Sequence, residues 1–384
     1  MIISDQASEP IYLPDDLLEQ ILDDAPALSS TISNIFERIV RLREEMRDAL
    51  LASERLRSVE DLPTVDSPSV AAIDGGTVLE QSLGADTALV VALGIEGLMR
   101  EGRQHWNGVQ FVHWKQVLTR KGLNNRDFAL GVMAALELNV LVNAPHEVVI
   151  LDGSHITPVL NLNRMLHFND AVYAHTAAAL VAKHDVAANL NTALRKPEVV
   201  AMVKYDQTRD LTDTCLSDFE SPCDDRTTLT MLLKEGEYTA PVCVGQTPRS
   251  ADNWSHAHVQ IAFADYPEKN AREKEFKDAL AYLNERQIFF TYYKPHEWSP
   301  AYRIELKRET AADDVCLSRV LTAVREQVVS PEIREPYPQY LADCMAKSVS
   351  GGMVSLRAAV FHDLDDRSAD DYMRFYVQSY RTEY

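Results

Sequence analysis

The sequence predicts an α/β fold, a sheet with helices on its faces, and three observations carry that prediction. Short, strongly apolar runs alternate with segments of helical periodicity from Val70 to Leu306. Hydrophobic residues make up 46% of the 384 positions, enough for a large core in one elaborated domain or two. Ten of the 14 glycines fall between Gly75 and Gly153, so the backbone-demanding part lies in the first half.

The elements follow in order. Asp15 to Asp24 is a short helix, closed off near Pro26. From Ser29 to about Arg57 there is neither proline nor glycine, and Ile32, Ile35, Phe36, Ile39, Val40 and Met46 recur at three-to-four spacing. That is one long amphipathic helix, packed on its own domain or on a partner subunit. "DLPTVDSPS" is a loop, so residues 1–66 form a helical arm and 67–384 the main domain with helical insertions. Val70 to Ile73 and Thr87 to Leu93 are strands, and "GVQFVHW" is a third. Asp127 to Val142 is a helix, Val148 to Leu151 a very apolar strand, Ala171 to Ala188 a helix, and Val199 to Val203 a strand. Residues 205–255 are loops with a short helix around Thr228 to Lys234. Val259 to Phe263, Ile288 to Tyr293 and Tyr302 to Leu306 are strands, with a charged helix (Lys269 to Glu285) after the first, and the end is helical or mixed.

Lys plus Arg is 38 against 58 for Asp plus Glu, a net charge of −20. That excess argues against general coating of nucleic-acid phosphates, though not against a narrow basic channel. The five cysteines form no C-x-x-C and no zinc spacing. Asp5 and Glu9 stand where a signal peptide would be basic, and no apolar run reaches membrane-spanning length. The expectation is a reduced, cytoplasmic protein with no membrane partner.

Chemistry concentrates in carboxylates. "VAAIDGGT" (Val70 to Thr77) and "VVILDGSH" (Val148 to His155) share one grammar: apolar strand, Asp, Gly, small residue. Asp74 and Asp152 are expected at the carboxyl ends of buried strands, the edge where α/β sheets bind ligands. Two converging carboxylates repel, and a divalent cation relieves them. A tight turn explains either copy alone. Glu137 is the only charge in "FALGVMAALELNVLVNAP" (Phe128 to Pro145), and a buried acid needs a cation, a basic partner or solvent. In "VAMVKYDQTRDL" a strand ends at Lys204, placed to bind a phosphate oxygen, with a surface lysine as the plain alternative.

Asp-Gly-small, a lone Glu in an apolar helix, Asp-Gly-Ser and a strand-end Lys resemble, in that order, the NurA nuclease family. The resemblance implies an RNase H-like core, dependence on Mn2+ or Mg2+, cleavage or resection of DNA, and a homodimer working with the hexameric ATPase HerA in repair or phage defence. It makes Asp74, Glu137 and Asp152 metal ligands and Lys204 a cationic catalytic residue. Gly75 and Gly76 then leave room for a phosphate, and Ser154, His155 and Arg303 are candidate substrate contacts. "SPAYRIEL" is similar to the family's late strand with Arg then Glu, here Arg303 and Glu305. "EPYPQYLADCMAKSV" is similar to its Tyr-Pro-x-x-Leu segment, but Cys344-Met345 stands where the family commonly has Ala-His. The DNA path is expected along Arg100, Arg103, Lys115, Arg120 and Lys121, or through delivery by the ATPase.

Two other classes compete. "AIDGGT" also resembles the first phosphate loop of sugar-kinase and actin-like ATPases, which predicts a second such loop, and "SGGM" (Ser350 to Met353) is the one late Gly-Gly. An inactive adaptor would use the amphipathic arm and the aromatic tail with Tyr372, Phe375, Tyr376, Tyr380 and Tyr384.

Overall fold

The computed structural model describes residues 14–82, 85–99, 102–118, 124–168, 170–204, 207–245 and 257–367; Arg100, Arg120, Lys121 and the aromatic tail lie outside them. The N-terminal pattern folds as α1 (Asp15–Asp23), α2 (Ala25–Arg41), α3 (Arg43–Ala52) and strand β1 (Leu56–Ser58). Pro26 sits in the first turn of α2, where its missing N–H is no loss, so it opens a helix rather than closing one. The expected long helix breaks at Leu42, and Arg57 belongs to a strand. Next come β2 (Val70–Gln81), β3 (Asp86–Glu96), β4 (Gln110–Leu118), α4 (Asn124–Val142), β5 (Val148–Asp152) and α5 (Thr157–Leu166). They are followed by α6 (Ala171–Lys183), α7 (Val186–Arg195), β6 (Val199–Val203), α8 (Asp210–Cys215), α9 (Asp225–Leu232), β7 (Glu237–Thr239) and β8 (Val242–Cys243). The last part holds α10 (Lys269–Asn284), β9 (Ile288–Tyr293), β10 (Tyr302–Lys307), α11 (Arg308–Ala312), α12 (Asp314–Gln327), α13 (Tyr337–Lys347) and α14 (Val349–Asp366).

The strands form one mixed sheet in the order β1-β7-β9-β10-β6-β5-β2-β3-β4, with β8 paired to β9. The central strands β2, β5 and β6 are parallel, and their neighbours run antiparallel. Helices cover both faces of this centre, which is why its strands are continuous apolar runs. Side chains alternate: Ile73, Leu151 and Ala201 join a cluster with Val132 and Leu136 of α4. Ala72, Ile150 and Met202 join another with Leu317, Leu321 and Val324 of α12. The arm is tied down by Arg47 of α3, which donates to both oxygens of Glu237 (2.7 and 2.8 Å) and to the Leu232 carbonyl (2.6 Å). β1 pairs with β7, so the arm contributes a strand to the sheet. By contrast α1 and most of α2 leave Leu17, Leu22, Leu28 and Ile32 exposed.

Three further expectations need correction. The stretch 205–255, expected as loops with one short helix around Thr228 to Lys234, holds α8, α9, β7 and β8 among its described residues. The helix expected from Ala171 to Ala188 is split at Asp185, whose φ of 45° starts α7 on a new axis. Val259 to Phe263 alternates in burial as a strand would, but it joins no ladder. Its backbone instead donates to the Asn163 side chain (Gln260 N–H, 2.9 Å) and to the Leu166 carbonyl (Ala262 N–H, 3.1 Å), so it lies extended along α5. Among the described residues no helix is long and apolar enough to cross a membrane.

Candidate active site

Asp74 does not end its strand; it lies inside β2, which pairs with β3 all the way to Gln81. What ends there is the parallel neighbour: the last β2–β5 pair is Ile73 with Leu151. Asp74 and Asp152 therefore stand side by side at the carboxyl edge of the parallel strands. Alternation puts both on the face of Ala72 and Ile150, and Lys204, two residues beyond Met202, shares it. Lys204 Nζ lies 3.4 Å from Asp152 Oδ1 and 2.7 Å from Glu335 Oε2. Gln339 of α13 donates to Asp152 Oδ1 at 2.5 Å.

Glu137 reaches the group from the other face. Ile73 and Gly75 point toward α4, and a Cβ at Gly75 would collide with Glu137 Oε1 and, at 2.5 Å, with Met133 Cγ. The missing side chain opens a window through which Glu137 approaches the two aspartates. A Cβ at Gly76 would strike the Ala346 carbonyl oxygen, so this glycine lets the end of α13 close over the site. The space at both glycines is filled by the protein itself rather than left open for a phosphate.

Electrostatics mark these acids out. Burial first, then repulsion from Asp152, raises the Asp74 carboxyl from 3.8 to about 7, although the Gly75 N–H donates to it at 2.8 Å. Glu137 is buried and is held well above the usual carboxylate range by burial, then by Asp74 and Asp152. Burial alone would lower Lys204, but its acidic neighbours, Asp152 foremost, outweigh that effect and shift it upward. As placed, no three His, Cys, Asp or Glu side chains among the described residues stand close enough to hold one metal ion. In kind the donors fit a hard divalent cation: two carboxylates on adjacent strands and a third on α4, with Asp74 and Glu137 strained by burial and like charge.

Three expected substrate contacts fall elsewhere. His155 is buried, with both ring nitrogens 3.1 Å from Lys307 Nζ, and burial holds it well below the usual imidazole range. Arg303 is buried on the opposite face of the sheet from Asp74. Its guanidinium donates to Thr208 Oγ1 (2.8 Å), lies 3.5 Å from Glu305 Oε1 and stacks 4.1 Å from the Phe290 ring. Ser154 donates to Glu305 Oε2 at 2.8 Å, and the same oxygen accepts the His155 N–H at 3.0 Å. Together these bonds hold the turn after Asp152. Arg103, expected along a DNA path, donates to the Ser67 carbonyl at 2.7 Å, while Lys115 sits on the edge strand β4.

Glu335, Gln339 and Asp343, not among the residues expected from the sequence, line the site's roof; Asp343 also pushes the Asp74 carboxyl up. Their signal was available: Gln339, Asp343 and Lys347 recur every fourth residue beside Ala342 and Ala346. Cys344 and Met345, at the place of the family histidine, are exposed. The phosphate-loop alternative loses its loop, because "AIDGGT" is continuous strand and "SGGM" lies within α14.

Comparison with known proteins follows the same lines. A family model described as the NurA domain matches residues 30–343. The fold is similar to the crystal structure of the NurA nuclease from Sulfolobus solfataricus, with TM-score 0.56 and 14% identity over 90% of this chain and 97% of that one. It is similar to a crystal structure of NurA with manganese, with TM-score 0.51 and 11% identity over 88% and 98%. A comparison with curated proteins gives no match. Since the matched span takes in Asp74, Glu137, Asp152, Lys204 and the greater part of α13, the chain belongs to the NurA family.

Proposed function

We propose that the chain is a divalent-metal-dependent DNA nuclease with an RNase H-like site. One observation carries the reading. Asp74 and Asp152 sit on adjacent parallel strands, and the Glu137 carboxylate stands at the gap left by Gly75, next to Asp74 in β2. Asp74, Glu137 and Asp152 would hold Mn2+ or Mg2+, and one of the similar structures is of NurA with manganese. When bound, such an ion supplies a water of lowered pKa and stabilises the attacking and leaving oxygens of a phosphodiester. Lys204, held among acids and fully charged, neutralises the phosphate. Gln339 and Lys204 orient Asp152, and α13 closes the roof against water. The protein works as a homodimer beside a HerA-type hexameric ATPase in the cytoplasm, in break repair or phage defence. The apolar side chains exposed on α1 and α2 support a protein partner there.

The test is cleavage of linear and circular DNA with manganese, magnesium or EDTA, using wild type, Asp74→Ala and Asp152→Ala. Metal-dependent cleavage lost in both variants is the expected result. Intact cleavage by Asp152→Ala would refute the site, and no cleavage by wild type, alone and with its ATPase, would favour an adaptor.

A further inference from the structure

A groove runs up to Lys204, whose ammonium lies 3.4 Å from Asp152 Oδ1. Its cavity has a volume of about 780 Å3 and is bordered by Lys204, Arg226, Trp298 and Arg334. That volume lies within the range of about 300–1,000 Å3 that small-molecule sites occupy. A second cavity of about 600 Å3 continues it to Arg43 and Lys234, sharing Thr230, Met231, Lys294 and Glu297 with the first. The groove belongs to the edge of the sheet that carries the acids. Trp298 lies in the connection from β9 to β10, and β10 starts where β6 ends, with Arg303 opposite Val203.

The charge of the groove runs against that of the chain. Six cationic residues line the two cavities against three acids, Asp224, Glu235 and Glu297, in a protein with net charge −20. Among the described residues Arg43, Lys234 and Arg334 make no ion pair, and Arg43 Nε is buried without a hydrogen-bond partner. Lys294, which donates to the Thr230 carbonyl at 2.9 Å, has its pKa depressed by burial and then by Arg43, with Glu297 and Glu237 acting the other way. Arg226 donates to the Lys204 carbonyl and so links the groove to the catalytic end.

Trp298 supplies the second kind of contact. It is 44% exposed, yet its ring is fixed by stacking on His296 (4.8 Å between centroids, 8° between planes). His296 is in turn held by the Arg325 carbonyl at 3.1 Å. A rigid, half-exposed indole between unpaired cations has the chemistry of a single-strand platform: bases stack on the ring while phosphates track the charges.

We infer that this groove binds single-stranded DNA, with a base stacked on Trp298 and the backbone running from Arg43 and Lys234 past Arg334 to Lys204. The inference rests on the nuclease reading for the direction of the strand, but its contacts are testable without cleavage. Binding of a fluorescein-labelled oligo(dT) is measured by anisotropy in EDTA. Trp298→Ala is expected to weaken it by about 5- to 150-fold, and Trp298→Phe to retain most of the affinity. The double variant Lys234→Gln with Arg334→Gln is expected to flatten the salt dependence by about 0.7 per lost contact. If the alanine variant unfolds, the phenylalanine and double variants carry the test. Wild-type affinity in all of these overturns the groove, even where manganese-dependent cleavage stands. Trp298-dependent binding by a protein that never cleaves keeps the groove and removes the nuclease. An equal loss with a duplex of the same sequence overturns the single-strand assignment.

Discussion

Replacing Asp74 with asparagine raises the stability of the metal-free protein while removing a residue of the site. Asp74 is 7% exposed, and burial followed by Asp152 lifts its carboxyl from 3.8 to about 7. Between those values the native chain keeps a proton that the unfolded chain has released. The stability this group contributes is therefore complete below the unfolded pKa and is lost as pH rises through the folded one. At about 1.36 kcal/mol per unit, the loss is roughly 4 kcal/mol once the pH exceeds about 7. Asparagine still accepts the Gly75 N–H and has no charge to desolvate. Lys204 gives up part of its counter-charge in the variant, so roughly 4 kcal/mol is an upper bound. The expected gain is about 2–4 kcal/mol at about pH 8 and about half of that at about pH 5.5. Urea unfolding in EDTA at both pH values measures it. Equal stabilities at the higher pH, or a gap that does not widen between the two, would refute the reasoning. Added manganese reverses the order, because an ion that binds the native wild type stabilises it by mass action.

Gly75→Ala places a methyl group on Glu137 and Met133, so cleavage is lost and thermal melting shows about 1–3 kcal/mol of destabilisation from overpacking. Arg47→Ala leaves Glu237 without its paired donors beneath the arm and costs about 3 kcal/mol in urea unfolding, with the site's own residues untouched. Lys307→Met is stabilising at neutral pH. Lys307 is fully buried, and burial lowers its pKa from 10.5 to about 7, so the native chain releases a proton that the unfolded chain keeps. The destabilisation it causes is full below about 7 and fades as pH rises toward 10.5. Methionine should thus gain roughly 2–5 kcal/mol near neutrality and little at about pH 10, a trend that denaturation across that range checks.

The sequence shows the parallel centre of the sheet well, because strands buried on both faces cannot hide their apolar runs. It shows the length of β2 poorly. Beyond Asp74 the strand loses its parallel neighbour and pairs with β3 alone, so its residues become mixed and the glycines imitate a turn. Glu137 is legible because a lone charge in an apolar helix has to be accounted for. Ser154, His155 and Arg303 show the opposite limit. Nearness to Asp152 along the chain, for Ser154 and His155, or a place on a late strand, for Arg303, does not tell which face a side chain takes, and one step along a strand reverses it. Arg303, Glu305 and Lys307 all alternate to the face away from Asp74, where Arg303 pairs with Glu305 and both Glu305 and Lys307 hold His155. The every-fourth polar stripe of α13 was present too, but a helix's own periodicity does not say which strand edge it covers.

The double glycine is best understood as two separate requirements that happen to be adjacent. A sheet normally keeps the side chains of its two faces apart, and the site needs acids from both. Gly75 removes the side chain that would stand between Glu137 and the aspartates. Gly76, pointing the other way, removes the one that would hold off the Ala346 carbonyl. Without that second approach, α13 could not bring Gln339 to Asp152. Each glycine thus admits a different part of the protein to one point of β2. The result is a cluster of carboxylates more buried and more crowded than free solution tolerates, as the raised Asp74 and Glu137 show. Under the nuclease proposal, a divalent ion would relieve that crowding by replacing protons with a fixed double charge, so that the strain built in by two glycines would become affinity for the metal.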